Sequence, residues 1–307
     1  MRIAATMFFV SLLWLAREGT VAASPRDDVV VSVAWLAAHR DDANLVLLHV
    51  GEKDEYRAKH LPRARLVALS DISISSSAGK GLMLEMPPAD DLRHRLEALG
   101  ISERSRLIVY FGKGWASPAT RVIFTLDYAG LGDRTALLDG GMDAWIRAGN
   151  AVTDEAPPAR TGSLEPLKIR PLVVAADFVR TSLGKDGVAV VDGRASAFYD
   201  GIDIGGPKGF AHRAGHVAGA RSVPFTAITD ERSMLRSNED LSALFSKAGV
   251  KNGDTVVGYC HIGQQATAML FAARLLGHPV LLYDGSFEDW TQHKDFPVDN
   301  PARRGSK

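Results

Sequence analysis

The chain has 307 residues, which is long for a single hydrophobic core and predicts two domains. Hydrophobic residues make up 46% of it and charged residues 23%, as is usual for a folded globular protein, while basic and acidic residues balance at 36 each. No net charge therefore points to a nucleic acid or an anionic membrane as partner, and one cysteine excludes an internal disulfide, a redox cysteine pair and a cysteine-rich zinc site.

The first residues of the chain differ in character from the rest. Arg2 precedes an apolar run over residues 3–16, and a small-x-Ala pattern follows at 21–23. These features are typical of a secretory signal peptide. We therefore expect residues 1–23 to be a signal peptide and the mature protein to be exported, to the periplasm. An uncleaved N-terminal anchor is the alternative, and it would be the only membrane attachment that the sequence predicts.

The remainder of the chain contains one pattern twice. Four segments return in the same order: 45–50 as 188–192, 60–65 as 216–221, 99–111 as 248–260, and 139–145 as 284–290. Four ordered correspondences indicate two copies of one domain. We place the first copy at 28–153 and the second at 172–299, with a proline-containing linker at 154–171 between them.

Each copy alternates apolar strands with amphipathic helices. In the second copy, strands are predicted at 188–192, 220–223, 255–259 and 279–283, and helices at 175–183, 238–248, 266–276 and 287–290. The alternation predicts an α/β fold in which a parallel sheet is flanked by helices. Ligands of such sheets bind at the carboxyl ends of the strands.

Cys260 lies at one of these strand ends, directly before a glycine-containing loop and a helix. Unpaired backbone N–H groups and the positive end of a helix dipole favour a thiolate, which is the nucleophilic form of cysteine. A buried structural cysteine is the alternative interpretation. Because an idle thiol is a liability in an oxidising compartment, the predicted export favours the reactive one.

The tandem repeat, the Cys260 loop and the Asp-Gly-x-x-x-x-Trp segments at 139–145 and 284–290 resemble the two-domain rhodanese family of sulfurtransferases, of the thiosulfate and 3-mercaptopyruvate type. The resemblance implies two rhodanese-like domains with the active cysteine only in the second, since Phe111 occupies the cysteine position of the first. It implies that a Cys260 persulfide carries sulfur from a small anionic donor to a thiophilic acceptor such as cyanide or a thiol. Thiosulfate is the first choice of donor and 3-mercaptopyruvate the second. No metal or organic cofactor and no oligomeric state are predicted.

By the same resemblance, the loop at 260–265 surrounds the persulfide sulfur with backbone N–H groups, Arg194 pairs with the anionic donor, and Asp192 supports that arginine. The candidate substrate-binding residues are Arg194, Arg213, His261, Gly263, Gln264 and Gln265. For three of these residues an alternative without a role in substrate binding remains open: a surface salt bridge for Arg194, an exposed basic loop for Arg213 and a solvated side chain for His261. His60 and His216 recur in both copies, active and inactive alike, which predicts a structural role for both.

The loop leaves the donor open. Thiosulfate-preferring relatives place Arg and Lys after the cysteine and mercaptopyruvate-preferring ones place Gly-Ser-Gly, whereas this chain has His261-Ile262-Gly263. A related phosphatase would carry an arginine six positions after Cys260, where Ala266 stands, so phosphoryl chemistry is not predicted. The competing function is a non-catalytic persulfide carrier or binding module in exported sulfur metabolism.

Overall fold

The computed structural model describes Arg26 and residues 29–76, 81–113, 116–204 and 213–304. The predicted signal peptide at 1–23 lies outside the described residues, as do positions 205–212 of an insertion at 201–214 that the first copy lacks. No helix within the described ranges has the length and apolar character needed to cross a membrane.

Two five-stranded sheets with the same topology form the framework. The first contains Val30–Val31 (β1), Leu45–Val50 (β2), Arg65–Val67 (β3), Arg106–Phe111 (β4) and Thr135–Leu138 (β5). The second contains Val173–Val174 (β6), Val188–Asp192 (β7), Arg221–Ser222 (β9), Thr255–Tyr259 (β10) and Val280–Tyr283 (β11). The spatial orders are β1-β5-β4-β2-β3 and β6-β11-β10-β7-β9, and the strand pairs in both are parallel. A separate antiparallel ribbon joins His216–Val217 (β8) to Val298–Asp299 (β12).

Helices cover both faces of each sheet. Those of the first domain are Val33–His39 (α1), Lys53–Ala58 (α2), Leu69–Ile72 (α3), Ala89–Ala98 (α4), Ser117–Tyr128 (α5) and Gly141–Arg147 (α6), with a 3₁₀ turn at Gly132–Arg134. Those of the second are Ala176–Ser182 (α7), Ser196–Tyr199 (α8), Asn238–Lys247 (α9), Gln265–Leu275 (α10), Ser286–Trp290 (α11) and Pro301–Arg304 (α12), with a 3₁₀ turn at Phe225–Ile228. Because helices lie on both faces, the central strands are buried on both sides and read as near-continuous apolar runs.

The predicted α/β architecture is confirmed. The strands predicted at 188–192 and 255–259 have those bounds, and the predicted helices and the strand at 279–283 are found within a residue or so of their expected ends. The segment at 220–223 pairs only through Arg221–Ser222, because it is an edge strand with one neighbour.

One hydrophobic core crosses the boundary between the domains. Helices α5 and α10 pack against each other, and their buried apolar side chains belong to a single cluster. At the crossing, Thr120 Oγ1 lies 3.1 Å from Thr267 Oγ1. Nearby, Asp127 of α5 accepts a hydrogen bond from Arg274 of α10 at 2.9 Å and another from Arg170 of the linker. The two domains are therefore joined by apolar packing and by ion pairs to the buried Asp127 carboxylate.

Each domain also lends a loop to the other. The Leu235 backbone N–H donates to Asp139 Oδ1 at 2.8 Å, and the Met86 N–H donates to Asp284 Oδ2 at 2.9 Å. Met86 and Leu235 are 149 positions apart, which is also the spacing of the repeat around the cysteine position. The two interdomain bonds are thus equivalent, and they pin one loop of each domain beside the last strand of the other.

His60 and His216 hold their own domains together, as predicted. His60 Nδ1 lies 2.7 Å from Tyr56 O and its ring stacks on Tyr56 at 3.9 Å. His216 Nδ1 lies 2.7 Å from Tyr199 O and stacks on Tyr199 at 3.6 Å. The same pair of contacts in both copies gives these histidines a structural role.

His49 is a buried polar group in the first domain. It is fully buried in β2, and its Nδ1 lies 3.0 Å from the Tyr110 hydroxyl, which accepts a hydrogen bond from Leu61 N. Burial, assisted by the nearby His60, lowers the pKa of His49 to about 4. The neutral ring is therefore the form that the fold accommodates.

This shift predicts an acid-sensitive contribution to stability. Because the folded-state pKa of His49 lies below the unfolded value of 6.5, the unfolded chain takes up the proton first as the pH falls. His49 should therefore cost on the order of 3 kcal/mol of unfolding free energy between pH ~6.5 and pH ~4. Urea unfolding across this range should show that His49→Gln loses less stability than the wild type on acidification. Parallel curves for the two proteins would contradict the prediction.

Candidate active site

Cys260 follows the last residue of β10 at the carboxyl end of the second sheet, and its side chain is fully buried. The chain then turns through residues 260–265, here called the Cys260 loop, whose last residue begins α10. Cys260 thereby precedes by five residues an eleven-residue helix, whose first backbone N–H groups lack intrahelical partners.

Most carbonyl groups of the Cys260 loop accept hydrogen bonds from donors that lie outside the loop. Phe287 N donates to Cys260 O at 3.0 Å, Glu288 N to His261 O at 3.0 Å, Arg121 Nη1 to Gly263 O at 3.1 Å, and Thr267 N to Gln264 O at 3.2 Å. Three elements therefore contribute: α11 holds the first two carbonyls, the first domain holds the third, and α10 itself holds the fourth.

The amides of Ile262, Gln264 and Gln265, which follow bound carbonyls, consequently point the other way. In a trans peptide the C=O of one residue and the N–H of the next lie on opposite sides, so binding each carbonyl outward turns the following N–H inward. Within the described part of the chain, the N–H groups of Ile262, Gly263, Gln264 and Gln265 have no hydrogen-bond acceptor. A set of unsatisfied donors beside a cysteine sulfur is an environment that favours an anion.

Gly263 is required by this geometry. Its φ of +80° lies in the left-handed region, and a Cβ placed there would lie 2.9 Å from Arg121 Nη1. Any side chain would therefore meet both backbone strain and a clash. The glycine lets the loop turn while its carbonyl stays on the arginine.

Asp192 and Arg194 form a buried ion pair next to the loop. Arg194 Nη2 lies 2.6 Å from Asp192 Oδ2 and Nε lies 3.0 Å from both carboxylate oxygens, while Nη2 also donates to Gly215 O at 2.8 Å. The guanidinium carbon stands 4.2 Å from the centre of the Phe287 ring. With Arg194 only 2% exposed, the surface salt bridge considered from the sequence is excluded.

The charge on Arg194 is secured by its neighbours. Burial alone would lower the pKa of Arg194, but Asp192 outweighs burial and raises it, and Tyr259 and Cys260 act in the same direction as Asp192. Phe287, whose ring contacts the guanidinium, also donates its backbone N–H to Cys260 O, so the guanidinium lies next to the start of the Cys260 loop. Nη1 of Arg194 makes no hydrogen bond within the described ranges, so it is the atom that can face a ligand.

Of the other candidate substrate-binding residues, His261, Gln264 and Gln265 belong to the Cys260 loop, whereas Arg213 binds elsewhere. His261 is 8% exposed and packs edge-on against Phe198 with ring centres 4.6 Å apart, so it is not a solvated side chain. Gln264 Nε2 donates to Ser117 Oγ at 3.2 Å, and Gln265 keeps a buried Oε1 with no partner in the described structure. Arg213 is placed elsewhere: its guanidinium donates to the carbonyl of Phe296 at 2.8 Å rather than to the Cys260 loop.

Three residues of the site were not found from the sequence. Ser286 Oγ accepts the Cys260 N–H at 3.2 Å and donates to Tyr283 O, which fixes the start of the loop. Arg121 Nη1 lies 2.7 Å from Asp284 Oδ1 and also donates to Gly263 O, so this ion pair is in contact with the Cys260 loop. The repeated Asp-Gly segment marks Asp284 and Ser286 as recurring positions, but nothing near Cys260 in the sequence points to an arginine in the other domain.

The first domain has the same framework with different chemistry. Phe111, 3% exposed, occupies the position of Cys260, and the strand register places His49 where the second domain has Asp192. The Glu55 carboxylate accepts a hydrogen bond from the N–H of Lys113, which corresponds to Ile262 of the Cys260 loop. This end of the first sheet therefore offers no sulfur, and one of its loop amides is already bound by a carboxylate.

Comparison with known proteins assigns the family. A model of the rhodanese-like domain matches residues 32–148 and 175–293. A thiosulfate sulfurtransferase of Pseudomonas aeruginosa is 30% identical, covering 88% of this chain and 97% of that protein. A 3-mercaptopyruvate sulfurtransferase of Escherichia coli K12 is 27% identical, with coverage of 88% and 97%. The sulfur carrier protein TtuD of Thermus thermophilus is 28% identical, with coverage of 88% and 96%.

Among solved structures, YnjE superimposes with a TM-score of 0.80 at 22% identity, covering 90% of this chain and 69% of that one, which shows a shared fold. Matched along both repeats by the family model, this chain belongs to the rhodanese family, as its sequence pattern predicted. It is a sulfurtransferase with two rhodanese-like domains. Within the described residues, no cluster of three or more His, Cys, Asp or Glu side chains could hold a metal ion.

The Asp192–Arg194 pair yields a stability prediction. Asp192→Asn leaves a buried guanidinium without its counter-charge, which should lower the unfolding free energy by about 3 kcal/mol or more. Urea denaturation would measure the loss. The double variant Asp192→Asn with Arg194→Met removes the unpaired charge and should recover part of it. A single variant as stable as the wild type would show that the pair is not an essential part of the folded site.

Proposed function

We propose that the protein moves a sulfane sulfur from a small anionic donor to a thiophilic acceptor through a persulfide on Cys260. With thiosulfate, the Cys260 thiolate attacks the outer sulfur, the S–S bond breaks, and sulfite leaves with the bonding electrons. Cyanide or a thiolate then attacks the outer persulfide sulfur and Cys260 returns as the thiolate. Each step is a nucleophilic displacement, so neither needs an external oxidant or reductant.

The four unsatisfied loop amides carry this proposal. A persulfide adds a second, negatively charged sulfur beyond Sγ, and that sulfur needs donors which the protein does not already use. The N–H groups of residues 262–265 meet this need. They are part of the backbone, and the bound carbonyls of His261, Gly263 and Gln264 fix the orientation of three of them, so little reorganisation is required when the charge arrives.

The donor is proposed to be thiosulfate, with 3-mercaptopyruvate as the second choice. Relatives named for each donor match this chain over 88% of its length. Arg194, through Nη1, and the buried His261 are the side chains offered for contact with the donor's anionic group. Arg213 is a weaker candidate, since its guanidinium is held by the Phe296 carbonyl.

The carrier function remains the competing proposal, and the relative named a sulfur carrier protein favours keeping it. A carrier would accept its sulfur from a partner protein and would not turn over small molecules. Steady-state assays with thiosulfate and cyanide, and separately with 3-mercaptopyruvate and a thiol, distinguish the two. Turnover that depends on Cys260 supports the enzyme, whereas persulfide loading without turnover supports the carrier.

Two variants test the assignment of chemistry to the second domain. Cys260→Ser should abolish the adduct of about 32 Da that intact-mass analysis detects when one sulfur is added to the wild type.

Phe111→Ala removes a buried ring and should lower the unfolding free energy by about 3 kcal/mol. It should leave sulfur transfer per folded molecule nearly unchanged. A stable Phe111→Ala protein without transfer activity would contradict an inactive first domain.

Export through residues 1–23 is proposed on the sequence pattern alone. N-terminal sequencing of protein recovered from a periplasmic fraction should begin near Ser24. Recovery of the intact N-terminus in a membrane fraction would favour the uncleaved anchor instead.

A further inference from the structure

Arg121 belongs to the first domain but ends in the active site of the second. It lies in the first half of α5 and is fully buried. Its guanidinium contacts Gly263 O at 3.1 Å, Asp284 Oδ1 at 2.7 Å, Met86 Sδ at 3.8 Å and, through Nη2, the carbonyl of Leu84. Two of these four partners belong to the domain that carries Cys260.

Helix packing does not require an arginine at this position. The repeat relates α5 to α10 with an offset of 147, at which Gly130 and Gly277 end the two helices with φ of +82° and +84°. With this offset the counterpart of Arg121 is Ala268, which is 1% exposed and packs in the same core. The arginine is therefore present only on the side of the junction that faces the Cys260 loop.

Stability is also a poor explanation for the buried charge. A buried ion pair often adds little to stability relative to apolar packing, because both ions lose their hydration. Arg121 Nε is buried and has no hydrogen-bond partner in the described residues, which adds a further cost. The guanidinium is therefore better explained by what it holds than by its net contribution to folding.

What it holds is the peptide between Gly263 and Gln264. Glycine offers few steric barriers to rotation of this peptide, so the orientation needs an anchor. With the carbonyl fixed on Arg121, the trans geometry turns the Gln264 N–H toward the inside of the Cys260 loop. If the carbonyl were released, the peptide could rotate and present an oxygen, not a donor, to an anionic sulfur.

We propose that Arg121 is a positioning residue through which the first domain keeps the Gln264 N–H directed at the Cys260 sulfur. This inference rests on the proposed function, in which that sulfur becomes an anionic persulfide. It gives the domain that lacks a cysteine a direct part in the chemistry of the other, beyond packing against it.

Arg274 provides a matched control. It is also an interdomain arginine on the same helix pair, bound to Asp127 at 2.9 Å, but its ion pair does not touch the Cys260 loop. Arg121→Gln, Arg121→Lys and Arg274→Gln would each be examined for thermal stability, for the rate of Cys260 alkylation by iodoacetamide, and for persulfide formation with thiosulfate. All assays would be run well below the lowest melting temperature.

Arg121→Gln should slow alkylation at neutral pH by about tenfold, because one donor to the sulfur anion is lost, and the deficit should close at alkaline pH. Persulfide formation should fall in parallel. Arg121→Lys, which can still donate one hydrogen bond, should recover part of both rates. Arg274→Gln should lower the melting temperature yet keep both rates within about twofold of the wild type, since its ion pair with Asp127 joins the two domains without contacting the Cys260 loop.

A wild-type alkylation profile in folded Arg121→Gln would overturn the proposal, and so would an equal loss in Arg274→Gln, which would assign the effect to the interface as a whole. Alkylation needs only the thiolate and no sulfur donor. If the wild type forms no persulfide with thiosulfate or with 3-mercaptopyruvate while Arg121→Gln still shifts the alkylation profile, the proposed function fails and the positioning role stands.

Discussion

Backbone carbonyls of the Cys260 loop accept hydrogen bonds from α11, from α10 and from an arginine of the other domain. Because each peptide unit has its C=O and N–H on opposite sides, these outward bonds determine what the inside of the loop presents. The inside presents amides without acceptors, next to the only sulfur nucleophile of the chain. Loop residues that carry no charge of their own can thereby form an anion-favouring site, and the absence of Arg and Lys after the cysteine is less of an obstacle than the sequence suggests.

The repeat explains why the chain needs both copies although only one contains a cysteine. Equivalent carboxylates, Asp139 and Asp284, each bind a backbone N–H of the opposite domain, so the junction itself is nearly symmetric. Onto this symmetric frame the second domain adds Cys260, Asp192 and Arg194, and the first adds Arg121. The division of labour therefore depends on a few side chains, while the sheets and the main helix contacts are shared.

Much of this could be read from the sequence, for identifiable reasons. The strand periodicity and the internal repeat are visible directly in the sequence. They predicted the α/β fold, the position of Cys260 at a strand end and the presence of Phe111 at the cysteine position of the first domain. The partner of Arg194 lies two residues away and was also accessible. Arg121 was not, because its relation to Gly263 spans 142 positions and exists only once the two domains are packed. The engagement of Arg213 with the Phe296 carbonyl was also hidden, because it joins positions 83 residues apart within the second domain.

The Glu55 carboxylate of the first domain has a consequence for how such a protein could gain a second reactive centre. It binds the Lys113 amide at the place that corresponds to Ile262 of the Cys260 loop, so this amide of the first domain is already occupied by a carboxylate of the protein itself. A cysteine introduced for Phe111 would meet a resident negative charge and a neutral His49 in place of the acid that orients Arg194. A Phe111→Cys substitution alone would leave the Glu55 carboxylate and His49 in place, so a reactive centre in this domain would call for several exchanges together.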